Sequence, residues 1–176
     1  VTQKTLTITA DSETKVYDGA ALTKNSYTNT DLATGDSIAS VTVTGSQTVV
    51  GSSTNAPSEA VIKNGAGEDV TASYAITYAN GTLEVTQKAL TITADSDTKV
   101  YDGTSLIKDS YTNTALPAGD TIKSVTVTGS QTIAGTSDNV PSEAKIVNAD
   151  GEDVTASYEI TYVNGTLEVT QKTLTI

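Results

Sequence analysis

The chain has no cysteine, methionine, tryptophan, phenylalanine or histidine. Without cysteine there is no disulfide, no thiolate zinc site and no thiol chemistry. That fits the cytosol or a disulfide-free bacterial surface and argues against a small secreted eukaryotic scaffold. Without histidine or cysteine the commonest general base and the strongest nucleophile are missing, and no glycine-rich phosphate loop occurs. Paired carboxylates can serve a glycosidase, but tandem near-copies are an unusual frame for one active site. The expectation is a protein that is not an enzyme and uses no cofactor and no metal. Arginine is missing too, so all 10 cations are lysines against 21 acids, a net charge of −11. Such a surface repels nucleic acid and favours solubility. No apolar run reaches membrane-spanning length or reads as a signal peptide.

What is present is a repeat. VTQKTLTITADSETKVYDG at Val1 returns as VTQKALTITADSDTKVYDG at Val85, and VTASYAITYANGTLEVTQK at Val70 returns at Val154 as VTASYEITYVNGTLEVTQK. A register of about 84 residues without insertion or deletion marks an array of small modules. The expected division is 1–84, 85–168, and the first strand of a third repeat at 169–176. Threonine, valine and isoleucine dominate, and they favour strands.

Period-two alternation places strands at 5–10, 14–17, 26–29, 37–44, 47–50, 60–63, 73–79 and 82–87. Asn80-Gly81 and Asn164-Gly165 are signals for a two-residue hairpin of the primed type. Closing it pairs Tyr78 with Leu83 and Ile76 with Val85, apolar against apolar. Asn55-Ala-Pro57 is read as strand, with a short helix starting there as the alternative. Asp69 to Tyr74 resembles the corner before the penultimate strand of immunoglobulin-like sandwiches. The fold class is therefore all-β, two tandem immunoglobulin-like sandwiches; a β-grasp-like module with a short helix is the alternative. Between Leu83 and Ala94 no Gly, Pro or Ser supplies a flexible linker, and the apolar parity switches across the junction residues Gln87 and Lys88. A stiff, extended rod is expected.

KVYDG (Lys15–Gly19, Lys99–Gly103), VTGSQT and DVTASYxITYxNGTLEVT resemble the YDG and MBG-type repeats of cell-wall-anchored adhesins, chiefly of Gram-positive bacteria. The resemblance runs through each module. It implies an extracellular, β-rich stalk module on a bacterial cell surface, with mucin or glycan binding suggested for some members.

Tyr17-Asp18-Gly19 and Tyr101-Asp102-Gly103 offer an aromatic to stack on a sugar and a carboxylate to bond a hydroxyl. The plainer account is structural: Asp-Gly makes a turn and Tyr packs. Tyr74 and Tyr78, with their copies, alternate inward as core, whereas Tyr27 and Tyr111 fit either role. The acidic run Asn148 to Asp153 has calcium-loop-like alternation, but the first copy lacks its central carboxylate and an acidic turn is preferred. Asn80-Gly-Thr82 and Asn164-Gly-Thr166 match the glycosylation sequon and are discounted as turns. A Lys–Asn isopeptide would have to join Lys4 or Lys88 to Asn80 or Asn164, and is disfavoured. The function read from all this is a stalk or spacer whose partners are adjacent repeats, as a monomer without membrane insertion. A multivalent, low-affinity mucin or glycan binder is the alternative, and association between arrays a third.

Overall fold

The computed structural model describes residues 2–175. Among them the secondary structure is β-strand with two three-residue 3-10 turns, Thr71–Ser73 and Thr155–Ser157, and no α-helix. The chain divides into two units after Thr86. The sequence register put the boundary after residue 84, inside a strand; Val85 and Thr86 still pair within the first unit, with Gly51, Lys15 and Val16. By the same logic Val169 and Thr170 close the second unit rather than open a third. Gln171–Thr175 lie outside the named strands, and Ile176 lies outside the described residues.

The first unit contains β1 (Lys4–Ala10), β2 (Glu13–Val16), β3 (Tyr27–Asn29), β4 (Ser37–Thr44), β5 (Gly51–Lys63), β6 (Tyr74–Ala79) and β7 (Gly81–Thr86). One sheet has the order β3-β1-β6 and the other β2-β7-β5-β4. The second unit repeats this with β8 (Lys88–Ala94), β9 (Asp97–Val100), β10 (Tyr111–Asn113), β11 (Thr121–Thr128), β12 (Gly135–Val147), β13 (Tyr158–Val163) and β14 (Gly165–Thr170). Its sheets run β10-β8-β13 and β11-β12-β14-β9. Alternation does the sorting: Leu6, Ile8 and Ala10 point inward from β1 while Thr5, Thr7 and Thr9 point outward. Leu6 and Ile8 meet Ala60, Ile62 and Tyr74, with Leu32, Ile38, Val41 and Val70 closing around them.

The expected Asn-Gly hairpin does not form. β6 pairs with β1 in one sheet, whereas β7 pairs with β5 and β2 in the other. Asn80 is the step between sheets, and neither it nor Gly81 has the positive φ a primed turn requires. Asn164 and Gly165 repeat the correction, with β13 on β8 and β14 on β12 and β9. An apolar register that looked like cross-strand pairing was one bent strand feeding two sheets around a common core.

The first strand bends at the same level. β1 and β2 are separated only by Asp11 and Ser12, and β6 and β7 only by Asn80. Both bent strands run parallel with one register throughout, Lys4↔Tyr74 to Thr9↔Ala79 and then Glu13↔Leu83 to Val16↔Thr86.

Other expectations need adjustment. Residues 47–50 form no strand; Gln47 makes a lone bridge to Leu22, and its side-chain amide closes a turn onto Val49 O at 2.9 Å. Asn55 and Pro57 lie inside the 13-residue β5, as strand rather than helix. Tyr74 and Tyr158 are buried, but Tyr78 and Tyr162 are 39% and 38% exposed. The cause is a bulge. Ser40 pairs with Val61, one step off the register that Ile38↔Ile62 and Thr42↔Ser58 share, so the ladder is locally bulged between them, and Glu59 takes φ +52. The Tyr78 hydroxyl accepts the Ala60 N–H at 2.9 Å, as that of Tyr162 accepts Ala144 N–H at 2.8 Å. Those phenols are drawn to the sheet edge by an amide left out of the ladder.

Candidate functional site

The motif residues form a clipped turn. Gly19 has φ +79, which a side chain would oppose, and the Asp18 carboxylate accepts the Ala20 N–H at 3.0 Å. Lys15, one strand residue back from Val16, reaches over to donate to Asp18 Oδ1 at 2.5 Å and Ala20 O at 2.6 Å. Lys99, Asp102 and Thr104 repeat the clip, with Gly103 at φ +86. Asp18 is thus occupied by its own turn, which favours the structural account. The motif's lysine is the partner that sequence reasoning missed.

The Lys15 hydrogen bond foremost, then the Ala20 N–H, holds the Asp18 carboxyl below the usual carboxylate range, and Asp102 is lowered likewise by Lys99 and Thr104. A depressed folded pKa contributes stability above the unfolded value and loses it as pH falls through the folded one. The turn should therefore persist through pH 4 and loosen below it. In an NMR titration the Lys15→Ala variant should raise the Asp18 midpoint; an unchanged midpoint would show that the clip contributes nothing.

The two aromatics of the motif differ. Tyr17 is 2% exposed and Tyr101 41%. Stacking on a sugar is closed to Tyr17 in this structure. Tyr101 lines a groove of about 550 Å³ together with Ile133, Ala134, Gln171, Lys172 and Leu174, all in the second unit.

The sheet switch is the site that sequence reasoning missed. Continuing the register of the bent strands sets Gly81 beside Asp11, where an added Cβ would lie 2.4 Å from Asp11 O and 2.5 Å from Ala10 O. Gly81 is thus required by close backbone approach rather than by a turn. Opposite Gly81 in the β5 ladder stands Asn55, 1% exposed. Its Nδ2 donates to Asp11 O at 2.9 Å and Lys24 O at 2.8 Å, joining the bend to the following loop. Its Oδ1 accepts no hydrogen bond among the described residues and faces Gly45, where a Cβ would come within 2.7 Å of it. Asn139, Asp95, Lys108 and Gly129 repeat the arrangement. The available signal was an asparagine inside a strand in both copies, where asparagine is ordinarily depleted.

The remaining candidates resolve locally. Asn148 Oδ1 accepts the N–H groups of Asp150 and Glu152, and its Nδ2 donates to Glu152 Oε2, so the acidic run is a turn organised by asparagine. Within each unit the isopeptide pair cannot meet: Lys88 is level with Tyr158 on β13, and Asn164 lies six residues further along, about 20 Å away. Lys4, level with Tyr74, stands equally far from Asn80. Gln87 contributes to its own unit, its side chain donating to Ala156 O at 3.1 Å and Tyr158 O at 3.3 Å. Lys88 opens β8.

Comparison with known proteins gives the module a family. No curated protein matches the sequence. The family model described as MBG domain (YGX type) matches residues 6–84. Those residues span the first unit from β1 into β7, and the second unit repeats their sequence, strand order and clipped turn. The first module is a member of the MBG domain family, YGX type, a family typical of surface-protein repeats, and the second module is built as its copy.

Proposed function

We propose that the chain is a stalk or spacer segment of a bacterial surface adhesin, displayed outside the cell on a wall-anchored parent and projecting a distal binding domain. The observation that carries this reading is the module itself in tandem: two near-identical units, with Gln87 alone between β7 and β8. The motif lysine and aspartate of each are committed to a turn, and the buried asparagine to the sheet switch. On this reading each module is a two-sheet sandwich of the immunoglobulin-like class whose last two strands feed different sheets. Its partners on this reading are adjacent repeats of the same chain, without catalysis, nucleic acid or membrane insertion.

The competing reading is a multivalent, low-affinity mucin or glycan binder, whose candidate stacking ring is Tyr101, exposed where Tyr17 of the same motif is buried.

Two measurements separate the readings. The chain and a four-module version are exposed to mucin and a broad glycan panel. The spacer reading expects no saturable binding from either. Binding that strengthens with module number and is lost in Tyr101→Ala would overturn it. Small-angle scattering is expected to give an elongated profile, and a compact one would remove the rod.

A further inference from the structure

We propose that each module is a mechanical clamp, and that bearing tension along the chain is a function of this fold. The inference follows from strand direction. The chain enters a module through β1 and leaves through β7, and the two bent strands β1–β2 and β6–β7 run parallel in one register. Load applied through the chain therefore pulls these strands in opposite directions along their shared axis. Parallel strands loaded that way slide, so the bonds between them resist together. A hairpin loaded at its open end peels, with one bond carrying the load at a time.

The side chains close what the backbone leaves open. Six register pairs join β1 to β6 and four join β2 to β7. Where the ladder is interrupted at the sheet switch, Ser12 Oγ accepts the Thr82 N–H at 2.9 Å. Ser96 does the same for Thr166 at 2.9 Å. At the leading end Gln3 donates to Ala72 O at 3.0 Å, and Gln87 holds the equivalent turn of the second module. At the trailing end Tyr17 N–H donates to Thr86 O at 2.9 Å, and the Thr86 hydroxyl donates back to Lys15 O at 3.3 Å. Tyr101, Thr170 and Lys99 repeat this closure. The prolines, Pro57, Pro117 and Pro141, all lie outside the four bent strands, so every residue of the ladders keeps its N–H. Stability asks that each of these backbone groups find a partner, but not that the partners lie on the opposing bent strand at both ends and across the gap. Resistance to sliding does.

The clamp rests on strand direction, and only its biological use rests on the stalk reading. Single-molecule force spectroscopy on the full chain tests it, and with no native cysteine the handles can be placed at will. Pulled through its ends, the chain should show two rupture events of similar force, each releasing about 250 Å of contour. Pulled through cysteines introduced as Thr2→Cys and Ser73→Cys, both at the leading end, the first module should peel at a several-fold lower force. Ser12→Ala should lower one of the two end-to-end ruptures and leave the other unchanged. Equal forces in the two directions would overturn the clamp while leaving the scattering and mucin tests of the stalk untouched. Mucin binding would remove the spacer reading without altering the force anisotropy.

Discussion

Replacing Asn55 with leucine is expected to destabilise the first module by about 3–5 kcal/mol. Each of the two part-buried carbonyls it serves, Asp11 O and Lys24 O, would lose its donor at roughly 1–3 kcal/mol. A module of this size has a total stability of only about 5–10 kcal/mol, so the loss approaches global unfolding. The unaltered second module supplies the internal reference. Urea titration should resolve two transitions, the earlier from the variant module, where the wild type shows nearly coincident ones. A single unshifted transition would mean that solvent or a relaxed loop satisfies those carbonyls.

Asn55→Asp sharpens the test because shape is retained while both donors are lost. A carboxylate there faces two carbonyl oxygens in a buried site, so its folded pKa must rise above the ordinary aspartate value of about 3.9. A raised folded pKa means that the native state holds the proton more tightly. The deficit relative to wild type should be smallest below about pH 4 and should grow as pH climbs from there toward the folded pKa. A deficit independent of pH between 3 and 7 would contradict the burial of this side chain.

Gly81→Ala is the second large effect, expected at about 3 kcal/mol or more, because two backbone carbonyls stand where the methyl would go and neither is a flexible side-chain end. Two comparisons give the experiment its meaning. Gly67 has φ +84 with open space around its would-be Cβ, so Gly67→Ala should cost only about 1–2 kcal/mol, the left-handed penalty. Asn80 is exposed and has no positive φ to maintain, so Asn80→Ala should be nearly neutral in thermal melts. If Asn80→Ala and Gly81→Ala instead cost similar, moderate amounts, the primed hairpin would be restored and the sheet switch rejected.

The difference between a hairpin and a sheet switch shows where sequence reading stops. Alternation along Tyr74 to Thr86 correctly put Tyr74, Leu83 and Val85 in the core, but it put Tyr78 there too, and that ring is 39% exposed. It could not say which neighbour each strand pairs with. One buried face is compatible with a partner across a turn or with a bend into a second sheet, since both put the same side chains inside. The candidate site divides in the same way. The Asp18-Gly19 turn was legible because i to i+2 hydrogen bonding and a positive φ are local properties. Asn55 was not, because its partners lie 44 and 31 residues away.

From the sequence alone came the repeat, the all-β class, the inward set of β1 and β7, and the absence of a flexible linker at Gln87. All follow from local period and composition, which are properties of neighbours along the chain. The tertiary structure alone decided that the first and last strands of a module run parallel, and that Gly81 is glycine for want of space. It also decided that Tyr78 turns outward to serve a bulge, and that an asparagine ties the bend together. Each of these depends on which distant backbone arrives beside a residue, and that is settled by the shared core of two sheets rather than by any segment within them.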